Sequence, residues 1–206
     1  MILVGKKVVF VVLDQFADWE GAYLSSLLMD EELSTGNKVF WASTDREAKR
    51  SLGQMTILPD LTLEEIPEDT DALILIGGKS WRTESAARVT PVIRRFKDQG
   101  KIIGFICDAT YYAAKEGFLN DVSHTGNNLE EMKENAGYTN PSAFVRQNAV
   151  LDGKIITANG NSPVEFAGQV LRALEFGSEE DIQMITDFHM IGYWNALRKY
   201  GYLKEE

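Results

Sequence analysis

The chain has 206 residues, with 31 acidic against 21 basic side chains for a formal net charge of −10, and is 44% hydrophobic. That length suits a single α/β domain with a substantial core, and that charge argues against general nucleic-acid binding, which needs a basic patch to displace counterions. The lone cysteine excludes an intrachain disulfide, so a reducing, cytoplasmic setting is the simplest expectation.

Met1 to Leu13 is too short to span a bilayer and has no signal-type cleavage region, so no membrane partner is expected. Within it, Val8 to Leu13 is an unbroken apolar run between Lys7 and Asp14, the pattern of a strand buried on both faces. The turn Asp14-Gln15-Phe16-Ala17 leads to a helix predicted from Asp18 to about Leu33, with Tyr23, Leu24, Leu27 and Leu28 on its apolar face and Gly36 beyond its end. Lys38 to Ser43 reads as a second strand and Gln54 to Leu61 as a short edge element. Asp71 to Ile76 is another apolar strand, ending in Gly77-Gly78. Thr90-Pro91 reads as a cap and first position of a helix that Gly100 closes.

Lys101 to Ile106 is a further buried strand, and Asp108 to Ala114 is helix-tolerant, with Cys107 at the changeover. After Gly117 come an irregular segment containing His124 and a polar helix from about Asn128 to Asn135. Ala143 to Val150 and Lys154 to Ala158 read as strands around an Asp152-Gly153 turn. Ser162-Pro163-Val164-Glu165 has the form of a capping box whose helix runs to Gly177. The tail, residues 178–206, reads as a helical extension rich in aromatics, bent or broken at Gly192. Alternating buried strands and helices predict a flavodoxin-like, mostly parallel sheet with helices on both faces, and ligands in such folds sit at the carboxyl ends of the strands.

Three loops should therefore meet: those after Leu13 and Ile76, and the corner at Cys107. A strand turning straight into a helix lifts its corner side chain over the sheet edge and aims free N–H groups at it. The helix dipole there favours a thiolate, whereas the bland alternative is an ordinary buried cysteine. Glu20 either complements the dipole of its own helix or reaches the thiol, in which case the two share one proton. Gly77-Gly78-Lys79-Ser80 lacks the earlier glycine of a phosphate loop, Leu73 standing there instead. Its paired glycines suit either a tight turn or close approach, the Gly78 and Asp108 N–H groups together forming an oxyanion hole. Of the two histidines, His124 lies where a loop can fold back over the corner, and His189 sits among apolar tail residues.

The order and spacing of Phe16-Ala17-Asp18-Trp19-Glu20, Leu75-Ile76-Gly77-Gly78, Ile106-Cys107 and Glu165-Phe166-Ala167 resemble the ThiJ/PfpI superfamily over roughly residues 6–176. That group is related to class I glutamine amidotransferases and includes PfpI-type intracellular proteases and a parkinsonism-associated deglycase. The resemblance implies Cys107 as nucleophile or redox-sensitive thiol, Glu20 as its carboxyl partner, Gly78 and Asp108 as oxyanion-hole donors, and His124 nearby. The sequence departs from the pattern in placing Asp108, rather than histidine, directly after the cysteine, followed by Ala109 and Thr110. Ala158 to Ser162 has no glutaminase-type histidine, so classical glutaminase chemistry is not expected. A carboxylate at Asp108 would oppose thiolate formation, depending on where it points.

Two readings follow: a cysteine hydrolase or lyase acting on an amide or carbonyl substrate, and a non-catalytic redox or stress-response protein whose oxidised Cys107 is stabilised by Glu20. No cofactor or metal is expected. The expected partner is a small-molecule substrate, and the tail aromatics leave open packing over the core, cover for the site, or a homodimer seam.

Overall fold

Runs without polar residues have to be covered on both faces, and the computed structural model, which describes residues 5–33 and 36–203, places them at the centre of one sheet. In chain order the elements are β1 (Lys7–Val11), α1 (Asp18–Met29), β2 (Lys38–Ser43), a small hairpin of β3 (Lys49–Arg50) and β4 (Thr56–Ile57), and β5 (Leu61–Thr62). Then come β6 (Ala72–Leu75), α2 (Thr90–Asp98), β7 (Ile102–Ile106), α3 (Asp108–Lys115), α4 (Leu129–Lys133), β8 (Ala149–Asp152) and β9 (Ile155–Ala158). Helices α5 (Pro163–Ala173), α6 (Glu179–Met190) and α7 (Tyr193–Lys199) complete the order. The seven-stranded sheet runs β5-β2-β1-β6-β7-β9-β8, parallel throughout except for β8 against β9.

The two-residue period of a strand divides each central run between the faces of the sheet. Val9, Val11, Leu73, Leu75, Ile103 and Phe105 pack with Ile93 and Phe96 of α2 and Tyr112 of α3. Val8, Phe10, Ile74 and Ile156 pack with Leu24 and Leu28 of α1 and Phe166 and Val170 of α5. The α/β architecture read from the sequence is thus the observed one. Its consequence is that the carboxyl ends of β1, β6 and β7, side by side in the sheet, bring their following loops together.

Local expectations differ from the structure where side chains found other partners. Helix α1 stops at Met29. Thr90 lies inside α2, and its hydroxyl engages Tyr112 instead of capping the helix. Of the strand predicted from Ala143 to Val150 only Ala149 and Val150 are extended in the sheet, and β8 runs on to Asp152; Arg146, Gln147 and Asn148 are exposed and polar and lie outside it. Ser162 and Glu165 do not make a capping box, because Ser162 bonds the Asn159 side chain at 2.9 Å and Glu165 accepts from Asn148 at 2.6 Å. Helix α5 ends before Gly177 through a left-handed Glu175 (φ 56°) and a Phe176 N–H to Leu171 carbonyl bond, a Schellman-type stop. Gly192 (φ 83°) does separate α6 from α7.

The tail lies against α5 and α1. Tyr23 donates to the Ile185 carbonyl and meets the His189 ring edge-on, while buried Asp187 ties Lys199 and Tyr200 to α6. Met190, Tyr193, Trp194 and Tyr202 remain exposed. Among the described residues no helix is long and apolar enough to cross a membrane.

Candidate active site

Strand β7 is buried along its whole length, and the chain leaves it through Cys107 at φ 59°, ψ −127°. A side chain rarely takes this conformation, and holding it there costs about 1–3 kcal/mol. The surroundings fix the corner: the Cys107 N–H donates to the Ala158 carbonyl, and its own carbonyl accepts from the N–H and hydroxyl of Thr110. The thiol is consequently lifted out of the core. Cys107 is half-buried and lines an open cavity of about 530 Å³ with Trp19, Asn127, Asn148, Asn159 and their neighbours.

Beneath the thiol lies Glu20, fully buried in the first turn of α1. Its Oε2 accepts the Gly77 N–H at 2.7 Å, and Oε1 has no conventional hydrogen-bond partner. A β-carbon placed on Gly160 would lie 2.8 Å from the Cys107 Sγ and 3.2 Å from Glu20 Oε1, so sulfur and carboxyl oxygen crowd the same glycine. No hydrogen bond joins the two in this geometry, but the Cys107 thiol is a polar group facing the same space as that oxygen. Asp18, two residues earlier, points elsewhere, to Ser51 and the Gly53 N–H.

Gly160 is held on both sides. Its carbonyl accepts from the Trp19 indole at 2.8 Å, and its N–H donates to Asn127 Oδ1 at 2.8 Å. Because a backbone N–H can only donate, this bond fixes which end of the Asn127 amide is which. Its Nδ2 is therefore turned to the Cys107 Sγ, 3.3 Å away. The sequence reading did not find Asn127; the only signal was its place in the loop after the cysteine helix, beside Gly126.

Gly78 takes φ 148°, and a side chain there would collide with the Gln15 carbonyl at 2.3 Å. Its bridge to Phe16 is made by the flanking pairs Ala17–Gly77 and Gln15–Lys79, which leaves Gly78's own N–H outside the ladder. The Asp108 N–H opens α3 and, like that of Gly78, has no protein acceptor among the described residues. The Asp108 carboxylate turns to Arg82, accepting from Nη2 at 2.9 Å, and Arg82 also bonds Glu131. The acid that threatened the thiolate is thus paired with a guanidinium.

His124 corrects the sequence reading. It is fully buried, with Nδ1 at 2.8 Å from the Val122 carbonyl, Nε2 at 2.6 Å from the Tyr138 hydroxyl, and its ring edge-on to Tyr138 and Phe144. Burial lowers its pKa. Both nitrogens are committed and the ring does not line the cysteine cavity, so it is not the base at Cys107. A bridge to Phe144 draws His124 inward, and the chain reaches the sulfur only three residues later, at Asn127.

Burial pushes Glu20 up to about 7, against the opposing pull of the nearby Cys107 thiol and of the Gly77 N–H that Oε2 accepts. Burial, and after it the charge of Glu20, pushes the Cys107 thiol up to about 12; the Asn127 amide pulls the other way, and Asp108 adds a smaller upward push. The expected easing of ionisation at the start of α3 is therefore outweighed. Two negative charges are costly so close together in a buried site, so the pair carries one charge and one shared proton between those values. At neutral pH the thiol proton has a buried carboxylate to move to. Among the described residues no group of three or more His, Cys, Asp or Glu side chains is arranged to hold a metal ion.

The sequence matches the DJ-1/PfpI family over residues 6–173. It is 35% identical over 196 residues to the uncharacterized protease YdeA of Bacillus subtilis (strain 168), covering 95% of this chain and 97% of that protein. The uncharacterized protease YoaZ of the same organism is 32% identical over 184 residues, covering 82% of this chain and 84% of that one. Among solved structures, the thiJ/pfpI family protein from Bacillus anthracis superposes with a TM-score of 0.87 at 28% identity, over 96% of this chain and 97% of the other. The DJ-1 superfamily protein Atu0886 from Agrobacterium tumefaciens gives 0.82 at 31%, over 90% and 98%.

Proposed function

Because this chain belongs to the DJ-1/PfpI family, we propose that it is a cysteine-dependent enzyme of hydrolase or lyase type acting on the carbonyl carbon of an amide or an aldehyde adduct. The observation that carries this reading is the meeting of a half-buried thiol and a buried carboxyl oxygen with no other partner at Gly160. Glu20 Oε1 takes the thiol proton. The sulfur then attacks the carbonyl carbon, a C–S bond forms, and the carbonyl π pair moves onto oxygen, toward the Gly78 and Asp108 N–H groups. Asn127 Nδ2 steadies the charge on sulfur before attack. With an amide substrate the C–N bond then breaks, protonated Glu20 returns its proton to the departing amine, and water hydrolyses the thioester. The protease names of the two Bacillus subtilis relatives favour amide substrates.

Replacing Cys107 with Ser is expected to lower turnover of simple amides or of methylglyoxal by about 1,000-fold or more while leaving the fold intact. The arrangement also suits a second use, since a protonated Glu20 can donate to an oxidised sulfur. Wild-type protein that turns over none of these compounds, yet gains one or two oxygens on Cys107 by intact mass under mild peroxide, would decide for that use and against the enzyme.

A further inference from the structure

We propose that the substrate carries an anionic group, carboxylate or phosphate, several bonds from the carbon that Cys107 attacks, and that Arg146 receives it. This rests on the catalytic reading above and adds a substrate class to it. The cavity at Cys107 is lined by Trp19, Ser162, glycines and asparagine carboxamides, with no charged side chain besides the catalytic sulfur. A neighbouring cavity of about 370 Å³ shares Gly126, Asn127, Asn148 and Asn159 with it, so the two form one groove leading away from the sulfur.

Only two charged residues line that second part, Glu130 and Arg146. Glu130 is paired with Lys133 at 2.8 Å. Glu165, which reaches the groove through Asn148, already accepts the amide of that residue at 2.6 Å. Arg146 is exposed and, among the described residues, has neither an acid nor a carbonyl bonded to its guanidinium. In a chain of net charge −10, an uncommitted guanidinium along a groove otherwise lined mainly by neutral amides is the complement of an anion. Its planar fork suits the paired oxygens of a carboxylate or phosphate, and the carboxamides between can donate to or accept from a polar chain spanning the distance.

The test uses bromoacetamides, which alkylate Cys107 with loss of bromide, bearing alkyl spacers of increasing length that end in a carboxylate, a phosphonate or a neutral methylamide. In the wild-type protein, anionic probes of one spacer length are expected to react about tenfold faster than the neutral probe, with the advantage shrinking as salt is added. Arg146→Gln, a substitution at an exposed position, should abolish that advantage and leave the neutral rate unchanged. The better of the carboxylate and phosphonate arms names the group. Equal rates at every spacer length, or an advantage that survives in Arg146→Gln, would overturn the proposal and leave the role of Cys107 standing. Failure of every probe, the neutral one included, would overturn both.

Discussion

Glu20→Gln is expected to stabilise the folded protein by about 3 kcal/mol at pH 8 and by almost nothing at pH 4. The folded carboxyl is raised from 4.5 to about 7, chiefly by burial. Between those values the folded chain keeps a proton that the unfolded chain has lost, so wild-type stability falls as pH rises through that window. Above it, the wild type holds a charge in a fully buried position, and glutamine does not. The substitution keeps an acceptor for the Gly77 N–H and offers an amide hydrogen to the sulfur, so little else changes. Urea denaturation of both proteins at the two pH values measures the difference; a gap that does not vary with pH would mean that Glu20 titrates like an exposed carboxyl.

The second large effect is expected at Gly77→Ala, with a loss of about 3 kcal/mol and a marked fall in Cys107 reactivity. A β-carbon there would lie 2.5 Å from Cys107 Cβ, 2.6 Å from Glu20 Oε2 and 2.8 Å from the Ile106 carbonyl. The Cys107 β-carbon and the Ile106 carbonyl are fixed by the backbone, and Glu20 Oε2, although it ends a side chain, is fully buried and bonded to the Gly77 N–H. To make room, the ends of β6 and β7 must part, and the bond holding Glu20 beneath the thiol goes with them. Gly100→Ala is the control: nothing lies within 4 Å of the added atom, and only the positive φ of 63° is strained. It should cost about 1 kcal/mol and leave alkylation unaltered. Equal losses, or normal reactivity in Gly77→Ala, would show that the close packing at Gly77 does not position the site.

The central strands were legible because unbroken apolar runs such as Val8–Leu13 have no other stable place than between two layers of helix. From that sheet followed the meeting of the Glu20, Gly78 and Cys107 loops, since their strands end on one edge. The short edge elements were legible only as one stretch, Gln54 to Leu61, which holds β4 and the start of β5; strands of two residues leave no alternation by which to divide it or to find β3. Side-chain competition was equally hidden. Ser162 and Glu165 have capping-box spacing, yet Asn159 and Asn148 engage them instead. The hardest part to see was the loop over the thiol. Periodicity says nothing about the path of an irregular segment, so a titratable His124 drew attention while the uncharged Asn127 made the contact. Burial of the thiol reverses the expected helix-dipole effect, and the lining of its cavity, Trp19, Gly126 and Gly160 included, is gathered from three separate parts of the chain.

The shared proton between Cys107 and Glu20 is tested most directly by the rate of Cys107 alkylation with iodoacetamide from roughly pH 5 to pH 10, a range that spans the ordinary titration of a thiol. If the proposed pairing holds, the reactive species is the thiolate beside a protonated carboxyl, and its amount follows the loss of the pair's first proton. Wild-type rates should climb about tenfold per pH unit up to about 7 and then level off. In Glu20→Gln the bend should vanish and the rate keep rising through the alkaline range. A bend near 7 that persists in Glu20→Gln, or a wild-type profile following one ordinary thiol titration near about 8.5, would contradict the account.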